Sequence, residues 1–212
     1  VAAIRVTLER STVAGNSSPA AGGGIWADQQ VIATNSTVTG NTGGSGGGIA
    51  VVNTGIELTH ATVAGNTAPD GANLELQPGS DELVSFASVV ADGEGGADCD
   101  LDPGVTVSSV AGNVDGDGSC GFGAGADDRP GAGDVGLGAL GDNGGATPTR
   151  LPTPDGVLID AVDCDPAVPT DQRGVTRPQA ARCDVGAVEV DSDAPPADDP
   201  PADAPPAVPI PD

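Results

Sequence analysis

The chain has 212 residues, which is long enough for one domain with a sizeable core. A quarter of it is Gly or Pro and its formal net charge is −24, so composition alone places it at the border of intrinsic disorder. There is no Lys, all seven basic residues are Arg, and no apolar run reaches the length of a membrane span, which argues against nucleic acid, anionic membrane surfaces and a transmembrane segment.

A repeat of 25 residues near the start of the chain overturns the prediction of disorder. The motif Ser-Thr-Val-Ala-Gly-Asn begins at Ser11, and it recurs with small changes at Ser36 and Ala61. Apolar residues precede the three copies in the same register: Val6, Val31 and Ile56. Apolar and polar positions alternate within each copy, which indicates short strands separated by turns.

Each unit is predicted to contain three short strands. The first two meet at a bend near Glu9 and Arg10, and the third begins at Ile25. Stacked units of this kind form an all-β fold, a parallel β-helix of roughly triangular section, whose narrow interior is filled by small and β-branched residues. Because parallel crossovers are almost always right-handed, we expect a right-handed helix. Residues 1–190 are assigned to this single domain.

Recurring polar positions predict two columns along the helix axis. The first is an amide ladder behind the corner glycines, formed by Asn16, Asn41 and Asn66. The second is an outward-facing threonine column, formed by Thr12, Thr37 and Thr62. His60 occupies a bend position and is predicted to be solvated, and Trp26 is predicted to lie at the surface.

The repeat becomes irregular further along the chain, where residues 88–93 and 108–113 resemble the motif and predict two further turns. Asp115 and Asp117 alternate with glycine as in calcium loops, although the twelve-residue pattern and its bidentate Glu are absent. These two aspartates are the calcium candidates, and calcium is the only cofactor that the sequence suggests. Residues 121–136, which are rich in Gly, Ala and Asp, are predicted to be an external loop of low order.

Four cysteines allow three disulfide connectivities. We favour the two sequential pairs, Cys99 with Cys120 and Cys164 with Cys183, because each closes a loop of about twenty residues in a glycine-rich region. No cysteine lies in a CxxC spacing typical of zinc or redox chemistry. Two disulfides would indicate an oxidising, extracytoplasmic compartment.

Apolar residues return between residues 135 and 190, which predicts a region that closes the solenoid by covering its last apolar face. Four of its segments resemble the closing region of bacterial choice-of-anchor Q domain proteins: Leu140-Gly-Asp-Asn-Gly-Gly-Ala-Thr-Pro-Thr-Arg-Leu151, Leu158-Ile-Asp-Ala161, Asp171-Gln-Arg-Gly-Val-Thr-Arg-Pro178 and Cys183-Asp-Val-Gly-Ala-Val-Glu189. The resemblance implies a right-handed parallel β-helix at a bacterial cell surface, followed by a spacer. Residues 191–212, with eight Pro and six Asp, are predicted to be a disordered, extended spacer of this kind.

Four charged residues of the closing region form the main candidate cluster: Asp171, Arg173, Arg177 and Asp184. Salt bridges that tie the end of the solenoid together are the favoured interpretation, and a catalytic or carbohydrate-binding cluster is the alternative. Asp160 and Asp163 lack an evident partner base. The outward columns of the regular turns contain no paired acids of the kind that glycosidases use.

The sequence therefore predicts a non-catalytic module of an extracellular or cell-surface protein, with a structural or adhesive role and no catalytic residue. The alternative is a carbohydrate-active enzyme of the polysaccharide lyase or glycoside hydrolase type. The partners consistent with the first prediction are a surface polysaccharide, a host or neighbouring cell surface, and a second copy of the chain joined end to end.

Overall fold

The computed structural model describes residues 1–154 and 156–190, and the predicted spacer at 191–212 lies outside the described residues. Parallel strands stack as a β-solenoid of about five turns, which confirms the predicted all-β fold class. No helix long and apolar enough to cross a membrane occurs in the described ranges.

Most strands are short, as the repeat predicts. The first turns contain β1 (Ala2–Glu9), β2 (Thr12–Ala14), β3 (Ile25–Thr34), β4 (Thr37–Thr39), β5 (Ile49–Val51) and β6 (Thr54–Thr59). The later turns contain β7 (Thr62–Ala64), β8 (Thr67–Ala68), β9 (Leu74–Leu76), β10 (Ser80–Phe86), β11 (Val89–Ala91), β12 (Glu94–Gly95), β13 (Cys99–Leu101), β14 (Thr106–Ala111) and β15 (Val114–Asp115). An antiparallel hairpin follows, formed by β16 (Leu137–Gly141) and β17 (Thr149–Pro152).

A parallel sheet of two strands joins β8 to β12, and two longer parallel sheets form the main sides of the solenoid. The larger has the strand order β13-β9-β5-β3-β6-β10-β14, with β1 also paired to β3, and the smaller has the order β15-β11-β7-β4-β2. The third strand of the first unit and the first strand of the second unit are continuous as β3, because no glycine interrupts the backbone there. In the next turn β5 and β6 are separate, and β6 begins at Thr54, which adopts a positive φ of 55°.

Inward side chains of successive turns lie in register and fill the core. One column consists of Val13, Val38, Val63 and Val90, and another of Ile25, Ile49, Leu74 and Cys99. Their interior members are completely or almost completely buried. Each buried aliphatic side chain contributes about 1.5–3 kcal/mol, which explains how a chain with few aromatic residues builds a core.

The predicted amide ladder is present and is longer than predicted. The amide groups of Asn16, Asn41 and Asn66 each donate to the next side-chain oxygen along the axis, at 2.9, 2.9 and 2.8 Å. The acceptor for the last of these is Asn73, whose own amide donates to Asp98 Oδ1 at 2.7 Å. Five side chains therefore form one hydrogen-bonded chain through the solenoid.

Glycine makes room for this ladder beside the first turns. A Cβ added at Gly24 would lie 2.9 Å from the Asn41 amide, and one added at Gly48 would lie 2.9 Å from the next amide. Asn73 and Asp98 occupy the equivalent positions of later turns, as the pairing of β5, β9 and β13 shows, and their own side chains enter the ladder. The ladder thus changes from one corner of the solenoid to another without a break.

One predicted turn is in the wrong register. Residues 108–113 resemble the repeated motif, yet Ser108 pairs with Val84, whereas Val114 pairs with Val89. The step of about 20 residues implied by the motif is too short to complete a turn, because regular turns take about 25 residues. The alternating pattern correctly predicts a strand. That strand, β14, lies in the larger sheet, whereas the motif predicts a place in the smaller sheet.

Residues 121–136 are mostly exposed, as predicted for an external loop, but the prediction of low order is wrong. Arg129 forms a parallel bridge with Val114, so this segment begins a further turn. Phe122 is buried in the solenoid core and covers the last apolar layer. Its glycines serve tight turns, as at Gly131 with a φ of 66°, and this accounts for the composition that suggested low order.

Residues 135–190, here called the clamp, run back along the side of the solenoid. A second apolar cluster joins the two parts and includes Ala87, Val89, Val114, Leu158, Val162 and Val185. The prediction that this region covers the end of the solenoid is therefore wrong, because residues 121–136 already cover it. The clamp instead covers the outer surface of the smaller sheet.

Both sequential disulfides are formed, as predicted. Cys99 and Cys120 connect two segments of the solenoid, and Cys164 and Cys183 connect two segments of the clamp. The described residues contain no free cysteine. The two bonds indicate an oxidising, extracellular setting.

Candidate functional site

The charged cluster predicted near the end of the chain lies in the clamp and is largely buried. Asp171 and Arg173 form an ion pair at 2.9 Å. Arg177 pairs with Glu189 at 2.7 Å and not with the carboxylate of Asp184, whose backbone oxygen it contacts instead. Sequence reasoning missed Glu189, and its only signal was its place at the end of the last segment that resembles the surface proteins.

The carboxylates of this cluster bind the backbone of the clamp itself. Asp171 accepts hydrogen bonds from the backbone N–H groups of Arg173, Val175 and Glu189. Asp184 accepts bonds from the N–H groups of Asp160 and Val190, and burial raises its pKa to about 6. These groups fix the path of a segment that has little strand structure of its own.

The clamp binds the threonine column, which faces outward as predicted but is not fully exposed. Gln172 accepts a hydrogen bond from the Thr37 hydroxyl and donates to Thr12, at 2.7 and 2.8 Å. The Thr62 hydroxyl accepts a bond from the backbone N–H of Ala187 at 3.0 Å. The column is thus a docking strip for the clamp, and Thr37 and Thr62 are buried beneath it.

The prediction that His60 is solvated is wrong, because the clamp also covers the bend positions of the turns. His60 is 0% exposed, and its ring meets the Phe86 ring edge-on at a centroid distance of 5.4 Å. Trp26, predicted at the surface, is half-buried. It lies beside a cavity of about 490 Å³ at the first turn that small, neutral residues line.

Asp160 and Asp163 do not form a paired acid site. Asp163 is exposed and pairs with Arg182 at 3.0 Å. Asp160 accepts a hydrogen bond from the backbone N–H of Arg182. Arg182 also pairs with Asp127, so this region links the clamp to the segment that covers the end of the solenoid.

The two calcium candidates meet a third carboxylate at the far end of the amide ladder. Carboxylate oxygens of Asp98, Asp115 and Asp117 all lie within 4.8 Å of one another. Clustered oxygen ligands of this kind suit Ca²⁺. Sequence reasoning missed Asp98, because the turn that brings it beside the calcium candidates was not aligned.

Backbone N–H groups also donate hydrogen bonds to the carboxylates of this cluster. Asp115 accepts bonds from the backbone N–H groups of Asp117, Gly118 and Cys120, and Asp117 accepts one from Asp98. Burial raises the pKa of Asp98 to about 6 and also raises that of Asp115. Partial burial acts in the same direction on Asp117, but hydrogen bonds from Ser119 and Asp98 outweigh it and lower the pKa. The cluster can therefore hold either a proton or a cation.

A second acidic surface lies on the larger sheet. Glu75 on β9 and Asp100 on β13 are partners in register, and they alternate with inward residues, so both side chains face outward. With Asp102 they line an open cleft of about 250 Å³, where Gln77 donates to Glu75 at 3.1 Å. The outward columns of Thr12 and of Glu9 contain no paired acids, as expected. The pair lies in a third column, that of Trp26, Ala50 and Glu75, whose next member, Asp100, the repeat does not reveal.

Comparison with models of known protein families, with curated proteins and with solved structures found no match to this chain.

Proposed function

We propose that this chain is a non-catalytic structural or adhesive module of an extracellular or cell-surface protein. The proposal is supported chiefly by the contacts of the charged cluster in the clamp, whose members bind one another and the backbone. Arg177, Glu189 and Asp171 bind each other and the backbone, and Arg177 and Glu189 have fully buried side chains. Groups committed in this way stabilise a scaffold and do not face a substrate.

Two independent features support the location. The two disulfides form and persist in oxidising compartments, and a cytosolic protein would rarely carry them. The segments that resemble choice-of-anchor Q domain proteins agree with display at a bacterial cell surface, with residues 191–212 as the spacer.

The acidic cleft supports a role in binding. Glu75, Asp100 and Asp102 project from neighbouring turns on a side of the solenoid away from the clamp's docking strip. The chain carries a net charge of −24, so acidic polymers would be repelled unless a divalent cation bridges them. Neutral polysaccharides are therefore the favoured ligands of an adhesive surface.

A carbohydrate-active enzyme is the second candidate, and the same cleft favours it. Glycosidases use two carboxylates about 5–9.5 Å apart. The backbones of adjacent parallel strands lie about 4.8 Å apart, so the carboxylates of paired outward residues can approach this separation. Glu75 is almost fully buried and Asp100 is exposed. Glu75 and Asp100 are the two residues that would act as acid and base or nucleophile.

An assay on a panel of neutral and acidic polysaccharides separates the two candidates. We expect no new reducing ends and no unsaturated products from the wild-type chain, and calorimetric binding to one or more neutral polymers. The control is the double variant Glu75→Gln with Asp100→Asn, which keeps the shape of the cleft and removes its charge. Turnover by the wild type that is lost in this variant would establish the enzyme and overturn the scaffold.

A further inference from the structure

His60 lies at the centre of the contact between solenoid and clamp. It belongs to a column of bend residues with positive φ, formed by Arg10, Asn35, His60, Ala87 and Gly112. The clamp contacts this column at successive levels. Asn35 donates to the Thr170 oxygen at 2.8 Å, and the Ala87 oxygen accepts a bond from the N–H of Gly186 at 2.8 Å. Between these two contacts, the clamp closes over the His60 ring.

The polar atoms around His60 are unusual for a buried histidine. Among the described residues, neither ring nitrogen has a hydrogen-bond partner in the geometry present, and Nε of Arg177 also lacks one. The carbonyl groups of Asp184 and Gly186 face the ring from the clamp. These carbonyls are near the ring but poorly aligned with its nitrogens, so the buried ring is incompletely satisfied, which costs free energy.

The charges facing His60 come from the clamp. Arg177 is the cation that acts on the ring, and the carboxylates of Glu189, Asp171 and Asp184 act in turn on Arg177. The solenoid side of the contact presents uncharged neighbours: Asn35, Phe86 and Ala87. A proton on His60 would place a second cation next to Arg177 in a site closed to water.

We propose that His60 is an acid-sensitive latch that holds the clamp on the solenoid while its ring is neutral and favours release of the clamp when the ring binds a proton. Burial, together with the charge of Arg177, lowers the pKa of His60 from 6.5 to about 3 in the closed state. Opening exposes the ring to water and restores its ordinary pKa, so protons bind the open state more tightly. Between pH 6.5 and pH 3, each unit of acidification then favours opening about tenfold through His60.

Asp184 opposes this effect, because its pKa of about 6 in the closed state lies above the ordinary value of 3.8. Acidification below pH 6 therefore favours the closed state through Asp184. From pH 7 to pH 5 the His60 contribution is about 30-fold towards opening and the Asp184 contribution is about tenfold towards closing. Because the two contributions oppose each other, we expect the wild-type response to be smaller than the His60 contribution alone.

The test compares the wild type with His60→Asn and Asp184→Asn. Asparagine at residue 60 tolerates the positive φ, since Asn35 occupies the same position one turn earlier. Hydrogen exchange of the clamp amides, corrected for the intrinsic effect of pH, measures opening at pH 7 and pH 5, with the amides of β5 and β9 in the larger sheet as the internal reference. On acidification we expect the clamp of His60→Asn to close about tenfold and that of Asp184→Asn to open about 30-fold, with the wild type between the two variants.

The same acid response in His60→Asn and the wild type would overturn the latch. The chain has a single histidine, so its ring can also be titrated directly by NMR in the folded wild type, whether or not the variant folds. A midpoint near 6.5 in the folded protein would contradict the proposal, and the expected midpoint is near 3.

Discussion

The solenoid and the clamp achieve order by different means. In the solenoid, the strands of each turn pair with the next turn in register, and equivalent apolar residues lie in columns. The clamp has one short hairpin and otherwise depends on side chains that bind backbone groups and on buried ions such as Arg177 and Glu189. Repetition stabilises the first region, and individual contacts stabilise the second.

This difference has a consequence for how each region responds to change. The cost of a substitution in a solenoid is shared with neighbouring turns, because each turn contacts only its neighbours. The contacts of the clamp, in contrast, are not repeated from one turn to the next. Loss of one buried ion pair should therefore release the clamp while the solenoid stays folded.

The largest expected effect is that of Arg177→Met. Glu189 would keep its negative charge in a site closed to water without its cation, at a cost of about 3–5 kcal/mol. We expect faster hydrogen exchange throughout the clamp and unchanged exchange in β5 and β9 of the larger sheet. The double variant Arg177→Met with Glu189→Gln is the control, and it should recover most of the loss. An equal increase in hydrogen exchange in the clamp and in the solenoid would contradict the expectation that the clamp opens separately.

The two disulfides offer a matched pair. Their sequence separations are 21 and 19 residues, so replacing either pair by serine should cost a similar free energy of about 3 kcal/mol through the unfolded chain. We expect removal of Cys99–Cys120, which lies in the solenoid core, to lower the midpoint of global urea unfolding. Removal of Cys164–Cys183 should instead accelerate exchange only in the clamp. Equal effects on global unfolding would show that the two regions unfold together.

The smallest expected effect is that of Asp98→Asn at the end of the ladder. Asp98 has a pKa of about 6 in the folded state against 3.8 ordinarily, so the folded state binds its proton more tightly and loses stability as the pH rises from about 4 to 6. Asparagine removes that loss and keeps an amide oxygen for Asn73. Urea unfolding with a chelator present should show a gain of about 1–2 kcal/mol at pH 7 and almost none at pH 4.

Calcium gives the control for this variant. Added Ca²⁺ should stabilise the wild type at pH 7 if the three carboxylates bind it, and the same addition should have a smaller effect on Asp98→Asn.

The pH comparison without Ca²⁺ tests the raised pKa of Asp98. If Asp98→Asn stabilises the protein equally at pH 4 and pH 7, the raised pKa does not belong to Asp98.

The solenoid could be predicted from the sequence because its rule is local and repeated. A spacing of 25 residues and the Gly-Asn corner predict the parallel pairing, the core columns and the first steps of the ladder. The prediction failed where the spacing changed. Residues 108–113 resemble the motif in sequence, but they follow the previous copy by about 20 residues and not by about 25. The number of residues between paired strands determines the register, so this copy pairs differently.

The clamp could not be predicted in the same way, because its partners are distant in sequence. The hydrogen bond between Thr12 and Gln172 joins residues 160 positions apart, and no periodicity indicates it. His60 was predicted to be solvated for the same reason, since the repeat shows that it points outward and does not show what covers it. The acidic cluster and the cleft became visible only when Asp98 and Asp100 were placed by the pairing of β9 with β13.

The amide ladder also limits how the chain can change length during evolution. Asn16, Asn41 and Asn66 are spaced by one turn of 25 residues, so a single-residue insertion between a short strand and its ladder Asn would move that amide away from its acceptor. Duplication of a whole 25-residue unit adds one donor and one acceptor and leaves the ladder continuous. Smaller changes occur at corners between strands: Ile49 pairs with Ile25 after 24 residues, and Leu83 pairs with Ile56 after 27. The solenoid can therefore lengthen or shorten by gene duplication or deletion in steps of one turn.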